Sequence, residues 1–130
     1  MADMSNYLEN ALLNLTLNGS AFTAVDDPYI SLHTADPTDA GTGTEVSGTG
    51  YARVQAEFAT ASGTGGSVAT TSDTTWAAAG ASWGTVGWIG VWDANASGNM
   101  LYHTALDAAK TIDTGDVFKI TAGNLTVTLA

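Results

Sequence analysis

The chain has 130 residues, enough for one domain. Its 45% hydrophobic and 12% charged composition is the reverse of what keeps a chain disordered. Only three residues are Lys or Arg against 13 Asp and Glu, a formal charge of −10. Arg53, Lys110 and Lys119 therefore cannot form the basic track that phosphates require, and neither nucleic acid nor an anionic membrane is an expected partner.

There is no cysteine, so disulfides and thiolate metal sites are excluded. The N-terminal stretch has no basic leader and no long apolar run, which implies synthesis in the cytoplasm without secretion. Asn-x-Ser/Thr triplets begin at Asn14, Asn18, Asn95 and Asn124; in so Ser/Thr-rich a chain they are expected by chance.

Leu8, Leu12 and Leu15, with Ala11 beside them, repeat at helical spacing and predict a short N-terminal helix. Asn6 with Glu9 has the spacing of a capping box, and Asn18-Gly19 is a natural stop. A helix this short needs a surface to dock on. Its own domain is the expected surface, and a neighbouring subunit is the alternative. Residues 1–19 thus read as a helical arm and 20–130 as a β-domain, together a single domain over 1–130.

Past Gly19 the period changes to two. In 29–34, Ile30 and Leu32 share one strand face, and Asp36-Pro37 turns the chain. A Gly/Thr-rich loop is predicted over 42–50. In 51–58, Ala52, Val54, Ala56 and Phe58 alternate with Tyr51, Arg53, Gln55 and Glu57, the pattern of a sheet with one dry and one wet side. A loop over 61–66 and a short strand over 67–71 follow.

The segment 84–93 differs in kind. Val86, Trp88 and Trp92 fall on one face and Ile89 and Val91 on the other, so both faces should be buried. The second face needs a cover: a loop, the N-terminal helix or another subunit. A turn over 95–99 and strands over 100–106, 117–121 and 124–129 complete the chain, the last with Leu125, Val127 and Leu129 inward. About eight short strands with no βαβ alternation predict an all-β fold, a jelly-roll-like antiparallel β-sandwich with a short N-terminal α-helix. No internal repeat is visible.

Chemistry is sparse. No G-x-S-x-G elbow is present, and the two histidines, His33 and His103, have no spacing that demands a catalytic pair. The Gly-rich strings complete neither a dinucleotide fingerprint nor a P-loop. Asp93, Asn95, Ser97 and Gly98 imitate the first half of a calcium loop, but the twelfth position is Thr104, and a hairpin turn explains them more simply. Whether 93–99 takes calcium stays open. Trp76, Trp83 and Trp88 would make a sugar-binding platform if exposed, and core or interface anchors if not. No catalytic residue, cofactor or metal is expected, and the acids are read as serving solubility and partner matching.

Several strings occur together: Tyr29-Ile-Ser-Leu-His-Thr-Ala-Asp-Pro37, Glu45-Val-Ser-Gly-Thr-Gly-Tyr-Ala-Arg53, Trp83-Gly-Thr-Val-Gly-Trp-Ile-Gly-Val-Trp-Asp-Ala94, Gly98-Asn-Met-Leu-Tyr102, Thr114-Gly-Asp116 and Ala122-Gly-Asn-Leu-Thr-Val-Thr-Leu129. In this order they resemble a family of small tailed-phage structural proteins, variously labelled tail-fibre or head decoration and cement proteins. The resemblance runs from about Tyr29 onward and implies a virion component without catalytic residues. Similar cement proteins imply a jelly roll and a trimer on the capsid exterior, with the major capsid protein as partner. The leading expectation is a cement protein bridging capsid subunits; a tail-fibre or baseplate subunit and a virion carbohydrate-binding module are the alternatives. Leu8, Leu12, Leu15, Tyr51, Arg53, Trp88 and Trp92 are the candidate partner-interface residues.

Overall fold

A computed structural model describes residues 2–63 and 65–129. In chain order the elements are β1 (Asp3–Met4), α1 (Asn6–Leu17), β2 (Tyr29–His33), β3 (Val54–Gln55), β4 (Ser67–Ala69), β5 (Thr74–Thr75), β6 (Gly84–Trp92), β7 (Met100–Ile112), β8 (Lys119–Ile120) and β9 (Thr126–Thr128). Five strands form one antiparallel sheet in the order β1-β7-β6-β2-β3, and β4-β9 and β5-β8 are separate two-stranded ribbons. The fold is all-β and antiparallel with one short N-terminal helix, as the alternation predicts.

The core lies between the sheet and the ribbons. Ile30, Leu32, Val86, Ile89, Val91 and Ile112 come from the sheet, and Trp76, Phe118 and Leu125 flank the ribbon strands. Trp76 and Phe118 meet edge to face with centroids 5.2 Å apart, a favoured aromatic geometry. Val127 is buried with Leu125, whereas Leu129, expected inward, is exposed.

Three expectations are corrected by long-range contacts. The helix is capped by Ser5, not Asn6: the Ser5 hydroxyl accepts the Leu8 N–H at 3.2 Å. Ser5 is held in extended geometry because its N–H donates to the Leu101 carbonyl and its hydroxyl to the Met100 carbonyl, while the Asn6 N–H goes to Asp39 O. The segment 51–58 is a strand only at Val54–Gln55, with an isolated bridge at Phe58, and its supposed wet side is half covered at Tyr51 and Arg53. On β6, Val86 joins Ile89 and Val91 in the core instead of Trp88 and Trp92. The register breaks between Val86 and Trp88, whose partners on β7 are Lys110 and Ala105, and this irregularity switches the phase. β7 itself runs to Ile112, beyond the expected end at Leu106.

Candidate functional site

The polar chemistry of the molecule is concentrated on the second face of the main sheet, the one turned away from the core. Alternation along β2 places Ser31 and His33 there, and both are fully buried. Their neighbours on β6 and β7 are Gly90, Trp92, Met100 and His103. The cover is the chain itself. Residues 36–45 cross this face, and the space a side chain would need at Gly41 is bounded by Met100 Cβ at 3.3 Å and the Trp92 ring at 3.6 Å.

Arg53 closes one side. Its guanidinium carbon sits 3.7 Å from the centroid of the Trp92 ring, and Nε and Nη2 each donate to a Glu45 carboxylate oxygen at 2.8 Å. Nη1 donates to the carbonyls of Ala94 at 3.1 Å and Ser97 at 2.8 Å. One planar fork thus joins three chain segments, a task a lysine cannot perform. The Tyr51 hydroxyl donates to Glu45 Oε1 at 2.8 Å and accepts the Leu32 N–H at 3.1 Å, capping the β2 edge where β3 has ended. Burial opposes the charged form of Glu45, but hydrogen bonds from Arg53 and Tyr51 outweigh it and hold the carboxyl below its ordinary pKa. Burial pushes the Tyr51 phenol well up.

Beneath this clamp, Ser31 Oγ lies 2.7 Å from His33 Nε2 and accepts the Trp92 indole N–H at 2.7 Å. The Gly90 carbonyl is a longer 3.4 Å from Ser31 Oγ, so the single hydroxyl proton is assigned to His33 Nε2. That assignment requires a neutral imidazole protonated on Nδ1. It agrees with burial holding the His33 pKa low against the opposing pull of Glu45. The pair has the spacing of a nucleophile and its base. It lacks the orienting carboxylate: no side chain among the described residues accepts from His33 Nδ1, and the polar group beside the ring is the Gly43 backbone.

His103 occupies the opposite side of the face, its ring tilted at 6.3 Å from Trp88. Its Nε2 is 2.9 Å from Asp39 and its Nδ1 is 3.5 Å from Asp36, both on the covering segment. Through the bond from the Asn6 N–H to Asp39 O, the same segment also holds the start of α1.

The calcium-like loop is a closed turn. Asp93 accepts the Asn99 N–H at 2.7 Å and the Asn99 side-chain amide at 2.9 Å, and Ser97 and Gly98 both have positive φ. The carbonyls of Ala94 and Ser97 face the Arg53 guanidinium. Among the described residues no three His, Cys, Asp or Glu side chains form a metal-holding group. Trp76 and Trp83 are buried in the core, so no three-tryptophan platform is assembled.

Of the seven candidate interface residues, the structure brings Tyr51, Arg53 and Trp92 together, but inside the chain. Leu8 is buried and Leu12 half-buried under the arm; of the three candidate leucines only Leu15 is exposed. Trp88 is half-buried beside His103. Sequence reasoning missed Ser31, Asp36, Asp39 and Glu45. One signal was present: Ser31 and His33 are two apart on a strand and must share a face.

A search of curated proteins found no match. A family model, described as podophage GP4 fiber I protein gp80, matches residues 3–128 and so takes in α1 as well as every strand that follows. The chain belongs to this Gp80 family of phage virion structural proteins.

Proposed function

We propose that the chain is a non-catalytic structural subunit of the tail-fibre assembly, joined to its neighbours by surface contact alone. The carrying observation is that a family labelled as a fibre protein matches almost the whole chain. The absence of chemistry is supported by the Ser31–His33 pair, which is sealed at 0% exposure and so out of reach of any substrate.

A second reading is favoured by the architecture. One compact core with no repeated strand unit is built like a decoration and unlike a shaft. In this reading the subunit is a cement protein on the capsid exterior, a homo-oligomer bridging copies of the major capsid protein. Binding only the assembled shell would stabilise it by mass action.

The copy number in purified virions, measured by quantitative mass spectrometry against the major capsid protein, separates the two. A handful of copies per particle is the expected result. A count comparable to the capsid protein, or a simple fraction of it, would replace the fibre reading with the cement reading. Absence from the particle would overturn both.

A further inference from the structure

Six large hydrophobic side chains are exposed among the described residues, and four of them, Tyr7, Leu13, Leu15 and Leu17, lie on α1. Leu8, Ala11 and Leu12 face the body, and β7 is the element α1 chiefly docks on. Leu13 and Leu17 are four apart and form a second stripe on the outer side, with Asn10 about one turn before Leu13; they are 56% and 80% exposed. A docked helix ordinarily turns polar residues to this side.

Charge indicates what covers the stripe. The protein carries −10, yet no residue from Asn10 to Val25 is charged, and Glu9 is the one charged residue of α1. Two copies repel each other across most of their surfaces. The outer face of α1 is where an equally acidic copy can approach without opposing carboxylates. A basic partner would find nothing there to pair with.

We propose that the outer face of α1 is a self-association surface, on which the same face of a second copy docks. A patch that meets itself makes a two-fold contact, in which Leu13 of one copy packs near Leu17 of the other. A single helix face is smaller than a stable interface requires, so the association is weak in dilute solution and strengthens at high local concentration. This inference is independent of the fibre and cement readings and is tested on the isolated full chain.

Sedimentation equilibrium up to about 1 mM protein should give a mass rising above the 13.2 kDa monomer. Raising salt from about 0.15 M to about 1 M should strengthen the association by screening the repulsion. Leu13→Glu with Leu17→Glu should weaken it at least about tenfold while leaving the near-ultraviolet circular dichroism of the buried tryptophans unchanged. Because the chain has no cysteine, Asn14→Cys, beside the centre of the two-fold contact, should form disulfide dimers faster than Thr114→Cys, placed in an exposed turn. A monomer at every concentration, an association unaffected by the two glutamates, one weakened by salt, or equal cross-linking at both cysteines would each overturn the proposal.

Discussion

Arg53 is the residue on which the covered face depends. Its side chain is 6% exposed and its Glu45 partner 27%, so the pair is largely out of water. Removing one member leaves the other charge buried and unpaired, which costs about 3 kcal/mol or more. Arg53→Met should lower unfolding free energy by that amount in urea, and Arg53→Lys should recover only part of it, since lysine has neither the fork nor the flat face. Gly90 makes a complementary case. A Cβ there would meet Ser31 Oγ and Trp92 Nε1 at 2.8 Å each, and both belong to the buried network. Gly90→Ala should destabilise by about 1–3 kcal/mol through overpacking; a neutral result in the same urea titration would mean that the Ser31–Trp92 contact yields freely. Neither role was legible in the sequence. Alternation placed Arg53 opposite Val54 and therefore on a wet side, because what covers it comes from 41 and 44 residues away at Ala94 and Ser97.

At the scale of elements, the sequence was informative wherever local pattern decided the outcome. The helix, its stop at Asn18-Gly19, the inward face of β2 and the turn at 95–99 all follow from spacing and turn chemistry. It failed where a partner strand decided. The N-cap of α1 moved from Asn6 to Ser5 because β7 supplies two carbonyls to Ser5. Ser5→Ala removes the cap and the hydroxyl's bond to Met100 O while keeping the backbone bond to Leu101, and should cost about 1–2 kcal/mol, seen as a lower melting temperature with the helix signal lost first. The phase of β6 likewise changed at a register break that a single strand's sequence does not encode, since the extra residues sit on β7. The second face of β6 was expected to need a cover, and of the three covers considered the chain supplies the loop, through Gly41 against Trp92, while α1 docks on β7.

For the whole molecule, the shifted groups define a pH window. The His33 pKa is lowered from 6.5 on folding, so the unfolded chain binds more protons below that value and stability falls as the pH drops through it. Glu45 is lowered from 4.5, so its contribution is present above that value and is lost at still lower pH. Tyr51 is raised from 10.0, which places the loss on the alkaline side once the unfolded phenol begins to ionise. Urea titrations across pH should therefore trace a plateau between about 6.5 and 10, with an acid limb in two stages. His33→Gln should remove the upper stage and leave the lower one; an unchanged upper stage would assign it to another group.

The burial of Arg53 also decides how the molecule meets a protease. Trypsin cuts after Lys and Arg, and this chain offers it only Arg53, Lys110 and Lys119. The peptide bond after Arg53 leads into β3, the bond after Lys110 lies within β7, and the bond after Lys119 lies within β8. An extended strand locked in a ladder does not fit a protease cleft without opening, so nicking reports transient unfolding. Cleavage after Arg53 needs the clamp over Trp92 to release, while cleavage after Lys119 needs only a two-stranded ribbon to fray. The order of the fragments therefore maps which parts open first. A subunit with three bonds that trypsin can cut, two inside strands and one at the entrance to β3, is suited to persist where trypsin-like proteases act.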